Sequence, residues 1–379
     1  MKDESSCQQA RCKCTYKSLS ECSRSSTKSK MKDKSSLLTT DNRQQTSFNV
    51  KHSTLNVNCV ATIGSFDGVH RGHQCLLNQV RQIADERGLK TMAITFRTSP
   101  KKVLGGDDAT QLTTSEERTT LLHHFGMDKV AMLDFTPQMA AMTARDFMQQ
   151  VLKEQLRVAV LVIGYDHRFG RGRSEGFNDY VRYGHEMGIE VVRGEACLEG
   201  EEPVSSTRIR NLLSAGDVDN AALLLGYEYT LCGKVVAGYK EGRKMGFPTA
   251  NIHPLDAGKL IPADGVYAVY VNTCWTTDNR QQTADNENCH PEDNSQLSIV
   301  NCQLFGMLNI GYRPTLNNGR ERSIEVHILD FEGDLYGKDI TIKFVHRLRE
   351  ERTFANTTEL TEQLLQDEKR VRELLATKE

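Results

Sequence analysis

Apolar positions between residues 57 and 213 come in short runs separated by stretches of helical spacing. The runs predict strands over Val57–Ile63, Lys90–Phe96, Lys129–Phe135, Val158–Gly164 and Ile189–Val192, and the spaced stretches predict helices opening at His70, Ser115, Thr143 and Gly176. Alternation of this kind makes a Rossmann-like parallel sheet covered on both faces, with ligands at the carboxyl ends of its strands. A short helical connector, Asp217 to Leu225, leads past Gly226 into a different pattern. Strands dominate there, over Tyr227–Ala237, Val266–Val271, Cys302–Ile310, Ser323–Leu329 and Ile340–Phe344, punctuated by Gly, Pro and Asn. With one helix near Glu359–Leu375 closing the chain, the expectation is a small β-barrel carrying a C-terminal helix.

The predicted organisation is a polar leader (1–56), an α/β half (57–213), the connector (214–226) and a β-rich half (227–379) interrupted by a polar insert (273–300). A chain of 379 residues has room for two such domains. The leader is rich in Ser, Lys, Thr and Gln without apolar periodicity, so it is expected to be disordered. Its Cys7, Cys12, Cys14 and Cys22 lack the paired spacing of a zinc site, and Asp3 and Glu4 run against an organellar transit peptide. Thr276–Thr283 repeats Thr39–Thr46 letter for letter, which has no evident physical reason.

A net charge of −2 suits small-molecule partners and gives no sign of a nucleic-acid or membrane surface. No stretch reaches the apolar length that spans a bilayer. Cys59, Cys75, Cys197 and Cys232 sit singly in apolar or helical contexts, which reads as reduced thiols in a cytoplasmic protein.

Chemistry concentrates first where the leading strand ends, at Thr62-Ile63-Gly64-Ser65-Phe66-Asp67-Gly68-Val69-His70-Arg71-Gly72-His73. Gly64 and Gly68 permit close backbone approach or unusual dihedrals. A helix starting near His70 aims unpaired N–H groups and a positive dipole end at that turn, and His70 and His73 lie on one side of its first turn. Both imidazoles can donate to phosphate oxygens, whereas neither the Walker lysine pattern nor G-x-G-x-x-G fits.

Two further segments reach the same sheet edge. Gly164-Tyr165-Asp166-His167-Arg168-Phe169-Gly170-Arg171-Gly172-Arg173 is either a phosphate-holding basic loop or a solvated charged one. In Ser205-Ser206-Thr207-Arg208-Ile209-Arg210 hydroxyls cap a helix, and the two arginines at its start, where the dipole disfavours cations, suggest a second anion cradle.

In the β-rich half, Gly238, Gly242, Arg243 and Gly246 precede a rigid turn, Pro248-Thr249-Ala250-Asn251, in a stretch that also carries Lys240 and Lys244. It is a plain hairpin loop or a phosphate loop in which the Thr249 hydroxyl and Asn251 carbonyl offer hard ligands to Mg²⁺. Ile324, Val326 and Ile328 alternate to one face, leaving Glu325 and His327 on the other. Glu325 is then a catalytic carboxylate or an exposed strand residue opposite a lysine.

Taken together these segments resemble bacterial bifunctional riboflavin kinase/FMN adenylyltransferases, the FAD synthetases. The resemblance rests on G-x-F-D-G-x-H-x-G-H (Gly64, Phe66, Asp67, Gly68, His70, Gly72, His73), G-x-D-x-x-F-G (Gly164, Asp166, Phe169, Gly170), S-S-T-x-I-R (Ser205, Ser206, Thr207, Ile209, Arg210) and G-R-x-x-G-F-P-T-A-N from Gly242 to Asn251. Asn309 to Thr315, Ile324 to Phe331 and Arg347 to Glu351 match as well.

It implies a nucleotidylyltransferase-like α/β domain joined to a riboflavin kinase barrel, acting on ATP, riboflavin and FMN with Mg²⁺. Thr249 and Asn251 would serve the metal, Glu325 would be the base for the ribityl hydroxyl, and His70, His73, Arg208 and Arg210 would face the adenylyl transfer. One family segment, F-x-P-H-P, is kept in part: Phe96 and Pro100 match, while Thr98 and Ser99 replace Pro and His. Two rivals follow: a kinase with an impaired adenylyltransferase, and a flavin-binding regulator without turnover.

Overall fold

The computed structural model describes residues 58–105, 110–195, 198–199, 202–238, 241–277, 298–314 and 320–376. The leader with its four cysteines, Cys197, Lys240 and the middle of the insert lie outside them. Phe48–Glu379 clusters as one compact unit that contains both halves.

The α/β half is built from β1 (Cys59–Ile63), α1 (Arg71–Arg87), β2 (Lys90–Phe96), α2 (Ser115–His124), β3 (Lys129–Leu133), β4 (Val158–Ile163), α3 (Phe177–Met187), β5 (Glu190–Arg193) and α4 (Ser206–Ala215). These five strands form one wholly parallel sheet in the order β3-β2-β1-β4-β5. Each central strand is buried on both faces. One face packs Ile63, Ile94 and Leu161 against Phe147, Leu152 and Tyr180, and the other packs Val60, Ala93 and Val162 against Leu77, Val80 and Leu122.

Helix starts follow their local chemistry. Thr114 and Glu117 form a reciprocal capping box that opens α2, and Thr143 caps a short helix that continues as the π-helix Met148–Gln155.

The second half holds α5 (Val218–Leu225), β6 (Thr230–Val236), β7 (Ala250–Pro254), β8 (Gly265–Thr277), β9 (Ser298–Pro314), β10 (Arg320–Ile328), β11 (Asp339–Arg349) and α6 (Thr357–Ala376). Six strands close an antiparallel barrel in the order β8-β9-β10-β7-β6-β11. Val326, Leu308, Ile342 and Phe344 fill its interior, while Val371 and Leu375 of α6 pack outside on Ala268 and Tyr270.

Four expectations are corrected. The P-T-A-N segment is no tight turn: Ala250 and Asn251 begin β7, pairing with Val326 and Glu325 of β10. The insert is shorter than 273–300, because β8 and β9 stay paired out to Thr277 and Ser298. The stretch 214–226 is more than a connector, since Val218, Ala221 and Leu225 share one core with the barrel interior and with Leu112 and Ile209 of the α/β half. Cys59 and Cys232 are free, but Cys75 is disulfide-bonded and not a reduced thiol. Its face of α1 is not open: Gln79, one turn on, exchanges hydrogen bonds with the Glu195 backbone at 2.8 and 3.2 Å, so the chain after β5 crosses that face.

Candidate active sites

A cavity of about 1420 Å³ opens at the carboxyl ends of β1, β2 and β4. Its wall includes Gly64, Phe66, Asp67, His70, Gly72 and His73 after β1, Asp166, Phe169 and Gly170 after β4, and Ser205, Ser206, Thr207 and Arg210 at the start of α4. Thr98 and Ser99 line it too, as do Asp256, Ala257 and Gly258 from the barrel half.

The turn into α1 is held in unusual backbone geometry, with Phe66 and Val69 at φ 47° and 32° beside Gly68 at 79°. Such conformations persist only where the surroundings over-determine them. Here the Asp67 carboxylate accepts the Leu112 and Thr113 N–H groups at 3.0 Å and takes the Arg210 guanidinium. The Gly68 N–H donates to Thr113 Oγ1 at 3.0 Å, and the Ser65 carbonyl accepts from Thr95 and from buried Arg118 at 3.0 and 2.8 Å. Asp67 and Arg210 therefore shape the turn by bonding to each other, Asp67 also to the 112–113 amides and Arg210 to the Thr110 carbonyl at 2.8 Å.

Inside that frame the His70 and His73 rings stack, 3.7 Å between centroids and 17° apart, and the Phe66 ring stands edge-on to His73 at 5.2 Å. Burial pushes His70 down to about 4, against the pull of Asp67, and burial with the neighbouring His70 holds His73 well below its ordinary value. His167 is likewise lowered to about 4, first by burial and then by Arg173. All three are neutral near pH 7, each offering one N–H without the repulsion that adjacent imidazolium ions would bring.

The second constellation runs across four neighbouring strands of the barrel. Asn251 of β7 pairs with Val236 of β6 and with Glu325 of β10, and Glu325 faces Asn309 of β9 on its other side. In the strand register the residues opposite Glu325 are Asn251 and Asn309, not a lysine. The Thr249 hydroxyl donates to Glu325 Oε2 at 3.1 Å, which leaves the hydroxyl lone pairs available to a hard cation.

Gly238 is required there, since a Cβ would fall 1.9 Å from Asn251 Nδ2, and a Cβ on Gly242 would fall 2.2 Å from the Phe247 carbonyl oxygen. Gly246 turns the chain at φ 84°. The Pro248 carbonyl accepts from His327 Nδ1 at 2.9 Å, fixing the chain just before Thr249. Arg243 is exposed beside this loop.

Family models for FAD synthetase and riboflavin kinase match residues 52–208 and 225–375. A bifunctional riboflavin kinase/FMN adenylyltransferase of Escherichia coli (strain K12) is 36% identical over 83% of this chain and 92% of its own length, and one of Bacillus subtilis (strain 168) is 33% identical over 81% and 90%. The chain belongs to the bifunctional riboflavin kinase/FMN adenylyltransferase family. The fold agrees: the crystal structure of a macrolide-efflux protein from Streptococcus pneumoniae superposes with a TM-score of 0.71 at 31% identity, covering 84% of this chain and 94% of that one. Among the described residues no helix is long and apolar enough to cross a membrane.

Against this bifunctional family background, most residues singled out from the sequence do meet at two places. Gly68 and Arg208 do not line the cavity: the Gly68 N–H and carbonyl are taken by Thr113 and by the Tyr227 hydroxyl at 2.7 Å, and Arg208 is exposed on α4. Sequence reasoning passed over Arg118 and His167. A buried arginine inside a short polar helix carries no local signal, but a histidine in a loop at the ligand edge of the sheet could have been read.

The neutral imidazoles have a consequence for stability. In the unfolded chain each titrates near its ordinary 6.5, so as pH falls below 6.5 the unfolded state binds more protons than the folded one and stability drops until about pH 4. Above pH 6.5 this contribution is constant. Thermal melts of the α/β half should lose ground steadily between pH 6.5 and 5, before carboxylates protonate, and His73→Gln should flatten part of that slope. A melting temperature level over that window would contradict the assignment.

Proposed function

We propose that the cavity at the sheet edge joins FMN to ATP and that the β6-β7-β10 row phosphorylates riboflavin, so that one chain carries riboflavin to FMN and FMN to FAD. The observation that carries this reading is the gathering of four separate motif segments, 64–73, 164–170, 205–210 and 249–251 with 325, into two built sites.

In the barrel, Glu325 takes the proton of the riboflavin 5′-hydroxyl as that oxygen bonds to the γ-phosphorus and the bond to the ADP oxygen breaks. An alcohol needs such a base. Thr249 and Asn251 offer hard oxygens beside that carboxylate and fit Mg²⁺, which when bound would neutralise triphosphate charge. Among the described residues no cluster of three His, Cys, Asp or Glu forms a rival metal site.

At the other site the FMN phosphate is already anionic. It attacks the α-phosphorus of ATP and pyrophosphate leaves, so the problem is charge on the leaving group. N–H groups from His70 and His73 and the amide end of α1 stabilise it without a proton transfer to the nucleophile. Thr98 and Ser99 supply hydroxyls to the cavity wall where the family pattern has Pro and His. With ATP as the common substrate we place the activity in the cytoplasm; among the described residues the Cys75 disulfide runs against a reducing compartment.

One incubation of purified protein with riboflavin, Mg²⁺ and excess ATP, followed by chromatography of the flavins, tests the reading. FMN should appear first and FAD accumulate. Arrest at FMN identifies the kinase with an impaired partner site, and tight flavin binding without ATP consumption identifies a regulator.

A further inference from the structure

The geometry points to Lys259, a residue of the barrel half, as a positioning residue for adenylyl transfer in the other half; this rests on the assignment of the sheet-edge cavity to that reaction. Lys259 follows β7 in a loop whose preceding residues, Asp256 to Gly258, line the cavity wall. Its side chain is only 2% exposed. The ammonium donates to the Leu112 carbonyl at 2.7 Å, pairs with the Glu117 carboxylate and lies 4.8 Å over the Tyr229 ring. The backbone beside it is stitched to the same segment: the Gln111 N–H donates to the Gly258 carbonyl at 2.8 Å, and the Gln111 carbonyl accepts the Leu260 N–H at 2.9 Å.

That segment is the one Asp67 grips. The Leu112 carbonyl takes Lys259, and the Leu112 N–H, with that of Thr113, goes to the Asp67 carboxylate. A continuous path thus runs from a barrel lysine through two residues of backbone to the turn that carries Phe66, His70 and His73. Tyr227, also from the barrel side, adds a strut by donating to the Gly68 carbonyl.

Without the ammonium, Glu117 would be a buried charge lacking its cation and the Leu112 carbonyl would lose its donor, a combination that proteins relieve by moving backbone. A shift of the 111–113 segment moves the amides that orient Asp67, and misplacement of catalytic groups by about 1 Å costs on the order of a hundredfold in rate. Thr249, Asn251 and Glu325 share none of these bonds, so the kinase in the same molecule is an internal control.

The test compares Lys259→Met, Lys259→Arg and Glu117→Gln in the full chain, measuring kcat and KM for FMN-to-FAD conversion and for riboflavin phosphorylation. Lys259→Met should lower kcat for adenylyl transfer roughly tenfold to a hundredfold, with KM for ATP within about threefold and phosphorylation within about twofold of the parent. Lys259→Arg should recover most of the rate, and Glu117→Gln should show a milder, several-fold loss confined to adenylyl transfer. Adenylyl transfer unchanged in Lys259→Met, a parallel fall in both reactions, or an arginine variant as slow as the methionine variant each overturns the proposal. If the methionine variant does not fold, an unaltered rate in Glu117→Gln overturns it. Failure of the parent chain to make FAD from FMN would instead count against the assignment of the cavity.

Discussion

Glu325→Gln is expected to abolish riboflavin phosphorylation, by about 10²–10⁴-fold, while supplied FMN is still converted to FAD at a rate within about twofold of the parent. The substitution keeps shape and leaves an oxygen to accept the Thr249 hydroxyl, so the strand pairing of Glu325 with Asn251 and Asn309 persists. What disappears is the group able to take a proton from the attacking alcohol. Ile324 and Val326, buried on the opposite side of β10, anchor the strand independently of that change. Quantifying the flavins formed from riboflavin and, separately, from FMN resolves the two reactions. Equal loss of both would show that the carboxylate supports the fold and not the chemistry.

Much of this arrangement can be read from the chain because local and tertiary preferences agree. β2 spans Lys90–Phe96, as its short run of apolar and β-branched residues predicts, and α2 begins at Ser115 because Thr114 and Glu117 cap it whatever lies beyond. The inward face of β10 follows from simple alternation. β7 was not legible: Asn251, His253 and Pro254 carry no strand signal, and the segment is extended because Glu325 and Val326 on one side and Gly233 to Val236 on the other bind its backbone.

Asp67 looks like a ligand residue in the motif, yet its charge is spent on two amides and Arg210, a role that depends on residues about 45 and 143 positions away. The same holds for Lys259 and Glu117, 142 positions apart, whose pairing no spacing rule anticipates. Local pattern locates the reacting groups; the groups that hold them in place are chosen by contacts between residues far apart in the chain, within the α/β half for Asp67 and between the halves for Lys259.

His73→Ala is expected to let FMN accumulate with little or no FAD, a loss of about 10²–10³-fold in adenylyl transfer, with riboflavin phosphorylation unaffected. The imidazole is buried between His70, stacked at 3.7 Å, and the edge of Phe66, inside the cavity, and its Nδ1 has no partner among the described residues. A neutral, oriented N–H in such a place costs nothing to reorganise when pyrophosphate begins to leave, so it stabilises the transition state more than the bound substrates. The fall should accordingly appear in kcat and not in KM. Because Ala also removes volume beside Phe66, His73→Asn serves as the second variant: it keeps a donor but places it differently, and should recover only part of the rate. If His73→Ala makes FAD normally, or if both reactions slow together, the stacked pair is a packing feature and the leaving group must be met by other residues of the cavity wall.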